Sequence, residues 1–140
     1  MVCYNMAIDD HQATETPTEV ERDALHSVTL GMEWLQRAHG HLLAFHHNVG
    51  HAMDHFAEAE GHLREAGHTD LADAIRTEYL PRGVVDEDRW SYDVVEDFEG
   101  GVLADMDAFE TTVRKRLADG ERHVAERAQE RAWKARADDR

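Results

Sequence analysis

LQRAHGHLLAFHHNVGHAMDHFAEAEGHL (residues 35–63) contains no proline, and its apolar side chains return every three or four residues. Followed in both directions, the series reads Leu25, Val28, Met32, Leu35, His39, Leu42, His46, Val49, Met53, Phe56, Glu60 and Leu63. Nine of these twelve positions are apolar, and alternating steps of three and four keep them on one helical face. The start signal lies upstream in Thr16-Pro17-Thr18-Glu19, where Thr16 as N-cap, Pro17 at the first helical position and Glu19 at the third form a capping box. Gly67 is the natural stop. One helix is therefore expected over 17–66, roughly 70 Å long at 1.5 Å per residue. Gly31, Gly40, Gly50 and Gly61 are the places where it would kink.

Beyond Gly67 the pattern stays helical. Thr69 can cap a short helix over Asp70–Leu80, ended by Pro81-Arg82-Gly83. A loop through Val84, Val85 and Asp86-Glu87-Asp88 leads to Ser91, read as an N-cap, with Trp90 and Val95 forming a hydrophobic staple. Val95, Phe98, Val102, Met106, Phe109, Val113 and Leu117 then recur at helical spacing. Gly100-Gly101 and Gly120 weaken this third helix, while Val124, Ala128 and Ala132 extend its stripe towards Ala135. No strand pattern occurs.

The expected fold is all-α: a flexible N-terminal arm over 1–15, then a single helical domain over 16–140. In that domain two long helices and a short connector form an antiparallel hairpin. A hairpin buries one narrow stripe per helix, leaving flanks such as Trp34, Leu43 and Phe45 to be covered. Two hairpins pairing as a four-helix bundle, a homodimer with two-fold symmetry, would cover them. If Gly67 and Trp90 bracket the turn, His46 should lie near Asp107 and Glu110, His51 near Asp105, and Glu60 near Glu96.

Eleven of the 140 residues are histidine, eight of them between His39 and His68. At 100° per residue, His39 and His46 sit inside the apolar seam, about 10 Å apart along the axis and too distant to share one ion. There an imidazole can bond a facing carboxylate and fix register, or join a carboxylate such as Asp105 in a buried metal site. His47, His51, His55 and His62 lie on the opposite face, with Asp54 and Glu58 on or beside them. Imidazoles one turn apart can chelate a divalent ion, so His51 and His55 with Glu58, or His47 and His51 with Asp54, form a candidate site for Zn²⁺, Fe²⁺, Ni²⁺ or Cu²⁺. A solvated face on which histidine replaces ordinary polar residues explains the same spacing.

Composition narrows the function further. Asp and Glu number 30 against 15 Lys and Arg, giving a formal charge of −15, and only Lys115 and Lys134 are lysines. No basic face is available for phosphates, so nucleic acid is not an expected partner. Carboxylates in excess suit a surface that must stay hydrated in concentrated salt. One cysteine, Cys3, excludes an internal disulfide framework and a multi-cysteine zinc site. Without a secretory leader pattern or an apolar run of bilayer length, a cytoplasmic protein away from membranes is expected.

The segments LLAFHHNVGHAMDH (42–55), LPRGVVD (80–86) and RWSY (89–92) resemble a family of small proteins of halophilic archaea, over most of residues 25–130. The resemblance implies a source and a helical fold; it implies no activity, cofactor or catalytic residue. The Glu-x-x-His pairs with facing partners that di-iron bundles require are not found, since Glu33, Glu58 and Glu110 are followed three residues on by Gln36, Gly61 and Val113; phosphate-binding loops, dinucleotide fingerprints and nucleophile elbows are also absent from the sequence. A non-catalytic helical homo-oligomer is the leading expectation, with transition-metal binding through the histidine stripe as an added capacity. A metalloenzyme, or a pH-responsive module in which several imidazoles charge below about pH 6.5, are the alternatives.

Overall fold

The computed structural model describes residues 17–139. The arm over 1–15, Cys3 and the Thr16 cap lie outside the described residues. All regular structure among these residues is helical: α1 Glu19–Glu65, α2 Thr69–Ala74, α3 Ser91–Phe98, α4 Ala104–Ala118 and α5 Val124–Asp138. None of these helices is long and apolar enough to cross a membrane.

α1 begins two residues later than the expected box. Glu21 N–H donates to Thr18 Oγ1 at 3.2 Å and Thr18 N–H donates to Glu21 Oε1 at 3.4 Å, so the reciprocal cap is Thr18 with Glu21. The helix continues unbroken through Gly31, Gly40, Gly50 and Gly61. It stops where expected: Gly67 takes φ of 90°, His68 N–H donates to Leu63 O at 2.8 Å and Gly67 N–H to Arg64 O at 3.1 Å. These two bonds make a Schellman turn, which needs a residue at ease in the left-handed region.

The molecule divides into two compact units, Trp34–Asp105 and the pair of segments up to Glu33 and from Met106 onward. In the first, everything after the Gly67 turn returns antiparallel along α1. Arg64 pairs with Asp73 at 3.0 Å, Glu60 with Arg76 at 2.9 Å, and His46 Nδ1 with Ser91 Oγ at 2.7 Å. His39 stacks on Phe98 with ring centroids 6.1 Å apart. Each step back along α1 is thus matched by a near-equal step forward along the return. The expected neighbours of His46, His51 and Glu60 are corrected by this register. The bend is confined to Gly67-His68, and the connector forms part of the returning arm, so α3 meets α1 near His46.

The return is irregular in ways its sequence explains. α2 passes into a π-helical turn, Ile75–Tyr79, and then a 3-10 turn, Leu80–Arg82, where Pro81 supplies no N–H to continue the ladder. Gly83 at φ 77° opens a tight loop in which Val84 and Val85 N–H donate to Arg89 O at 2.8 and 3.2 Å. A Cβ on Gly83 would stand 2.7 Å from Arg89 O, which accounts for the glycine. The N-cap of α3 is Trp90, whose N–H donates to Asp93 Oδ2 at 2.9 Å; Ser91, expected as the cap, is the first helical residue and turns its hydroxyl to His46. A second π-helical turn, Glu99–Leu103, surrounds Gly101 at φ −103° and ψ −112°, a non-helical conformation that interrupts the third helix.

In the other unit the first turns of α1 bury Leu25 and Met32, and α4 buries Glu110, Arg114 and Ala118. The expected continuation past Gly120 does not occur. Asp119, Gly120 and His123 take positive φ of 54°, 83° and 61°, ending α4 and starting α5 afresh. The stripe through Val124 and Ala128 therefore belongs to a separate helix. Arg114 and Glu110 form a buried pair at 2.6 and 2.7 Å, and Arg114 Nε donates to Gly120 O at 3.2 Å, tying the turn to α4.

Candidate functional site

The seam divides α1 as its periodicity requires. Every seam position is buried or half-buried except Phe56, which is exposed, while Ala59, just beyond it, is half-buried. His39 and His46 lie half-buried within it. His46 is held by the Ser91 hydroxyl. His39 has Glu99 Oε2 at 3.7 Å from its Nε2, beyond hydrogen-bond reach, so that buried nitrogen has no hydrogen-bond partner among the described residues. Neither histidine meets Asp105, which is exposed and lies on the final turn of this unit.

The opposite face carries His47, His51 and His55 with Asp54 and Glu58, all exposed. His55 Nδ1 is 3.7 Å from Glu58 Oε2, a contact across one turn between two open side chains. The His46 and His47 rings lie 5.5 Å apart at 52°, one facing the seam and the other solvent. No three His, Cys, Asp or Glu side chains converge on a metal-binding position among the described residues. The stripe therefore offers pairs of donors one turn apart, with further ligands left to water or a second molecule.

The cavity in the unit containing α5 has no counterpart in the sequence reading. Arg22 and His26 of α1, Arg114 of α4 and His123 before α5 line it, with Glu110 and Glu126 balancing their charge. The bonded Glu110–Arg114 pair is part of its lining. An i, i+4 Glu–Arg spacing is visible in sequence, but the same spacing is common on solvated faces, so burial of this pair had no local signal. Comparison of the chain with family models, curated proteins and solved structures gives no match.

Proposed function

We propose that this chain is a non-catalytic helical protein that works by self-association, one copy completing the core of another. The carrying observation is how little each copy buries. Among the described residues only Leu25, Met32, Ala72, Val95 and Ala118 are buried apolar residues, and no large side chain is wholly enclosed. Trp34, Phe45, Phe56, Phe109 and Trp133 stay open. Apolar burial is the dominant favourable contribution to folding, so a chain with this little core gains most from a partner. The paired bundle of two hairpins is the arrangement that covers such flanks with the fewest additional elements.

A second reading concerns the histidine stripe. The His55–Glu58 contact, with His51 one turn before it, gives divalent Zn, Fe, Ni or Cu a two-point hold that a second copy or water would complete. Sedimentation equilibrium of the tag-free chain in concentrated KCl tests both readings. A dimer or higher species is expected; a monomer at 100 µM removes the first reading. Repeating the run with Zn²⁺ or Ni²⁺, then with EDTA, should show bound metal that His51→Ala loses; equal metal content in both proteins removes the second.

A further inference from the structure

Of the three polar residues in the α1 seam, two are bonded across it: His46 to the Ser91 hydroxyl and Glu60 to Arg76. The third, His39, is not. Its Nε2 is buried without a hydrogen-bond partner among the described residues, and the Glu99 carboxylate stands 3.7 Å away. The Phe98 ring stacked beside it supplies no lone pair. Buried polar atoms are ordinarily satisfied, so this nitrogen points to a second arrangement in which the carboxylate is reached.

The proton on the ring decides whether the gap closes. With a lone pair at Nε2, imidazole and carboxylate are two acceptors and repel. A neutral ring with its proton on Nε2 can donate, but without the Coulombic attraction that a charge adds. With both nitrogens protonated, a charged donor faces the carboxylate, and such bonds settle about 1 Å closer than the gap seen here. Glu99 is free to make that movement. Its side chain is 47% exposed, and it is the first residue of the π-helical turn, followed by Gly100 and Gly101. A Cβ at either glycine would meet nothing within 4 Å, so packing does not wedge the turn.

Other charges do not compete for the ring. On the returning arm Asp97 is engaged by Arg89, Asp93 accepts from the Trp90 N–H, and Glu96 and Asp105 are exposed. On α1, Arg37 and His41 lie two residues either way, on the far side of the helix. Among the described residues Glu99 is the sole carboxylate within 4 Å of His39.

We infer that His39 and Glu99 form a proton-operated latch: protonation of His39 draws the Glu99 carboxylate onto Nε2 and fixes the Gly100-Gly101 turn, and loss of the proton releases it. The stabilisation is present on the acid side of the ordinary imidazole range near pH 6.5 and lost as the pH rises through it. It fades again near pH 4, where carboxylates take up protons. Acidification also relieves the net charge of −15, so the latch is read as a difference between the wild type and Glu99→Gln. Hydrogen exchange of the Glu99–Leu103 amides at pH 5.5 and 7.5, corrected for the intrinsic rate at each pH, makes the measurement. Wild-type protection should be greater at pH 5.5 by about 5-fold, the factor expected of a partly exposed ion pair. Glu99→Gln and His39→Gln should each show equal protection at the two pH values. Glu58→Gln, which removes the carboxylate 3.7 Å from the open His55, should keep the wild-type response. A wild-type protein without the response, or a Glu99→Gln variant that retains it, overturns the latch. A response lost equally in Glu58→Gln assigns it to surface charge and overturns it too. Should His39→Gln fail to fold, Glu99→Gln at its exposed position decides alone.

Discussion

Glu110 and Arg114 are each 8% exposed and hold one another through two short bonds to one guanidinium nitrogen. Removing one member strands the other's charge away from water, a loss of about 3 kcal/mol or more for a buried pair. Glu110→Ala should therefore lower the unfolding free energy by that amount in urea titrations, and the Glu110→Ala/Arg114→Ala double variant should recover part of it. A loss under about 1 kcal/mol would mean that solvent already reaches the pair. At this scale the sequence was legible in faces but not in partners. That His39 and His46 point inward while His47, His51 and His55 point outward follows from 100° per residue alone. That His46 meets a serine hydroxyl depends on where another segment returns, which local spacing does not encode. Ser91 read as a cap because serine usually caps; the cap here uses the Trp90 N–H and the Asp93 carboxylate, which frees the hydroxyl for the histidine.

Among the elements, α1 was the most legible, since twelve seam positions and a terminating glycine all favour the same helix. Its glycines were expected as hinges, yet a Cβ at Gly40, Gly50 or Gly61 meets nothing within 4 Å and the helix passes through each. Gly50→Ala and Gly61→Ala should each stabilise the protein by about 0.5–1 kcal/mol by removing conformational freedom from the unfolded chain. Gly83→Ala should do the opposite by more than about 1 kcal/mol, because its positive φ and the Arg89 carbonyl both exclude a methyl group. Thermal melts of the three variants separate the cases; a stabilised Gly83→Ala would contradict the close approach. The second half of the chain was less legible for a physical reason. Apolar periodicity continues through Gly120 into Val124 and Ala128, and only the backbone angles of Asp119, Gly120 and His123 show that one stripe is carried by two helices.

For the molecule as a whole the controlling quantity is charge. Fifteen net negative charges repel within every folded copy and between copies, and only salt or partners relieve this. The Debye length falls from about 10 Å at 0.1 M to about 3 Å at 1 M, so repulsion between separated carboxylates is largely lost over that range. The melting temperature should therefore climb between 0.1 and 2 M KCl by on the order of 5–10 °C, equivalent to about 1–2 kcal/mol for a domain of this size. A flat or falling melting temperature would show that charge does not limit stability.

The even pairing of α1 with its return has a kinetic consequence. Arg64–Asp73 closes a loop of 9 residues, Glu60–Arg76 one of 16, and His46–Ser91 one of 45. Contacts nested in this way need not each meet the full cost of closing a long loop, because every formed pair shortens the chain left to search for the next. The arm can close outward from the Gly67 bend like a zip fastener, with low contact order and a short search at each stage. Opening then runs in reverse, and hydrogen exchange should reach the amides near His39 before those near Arg64.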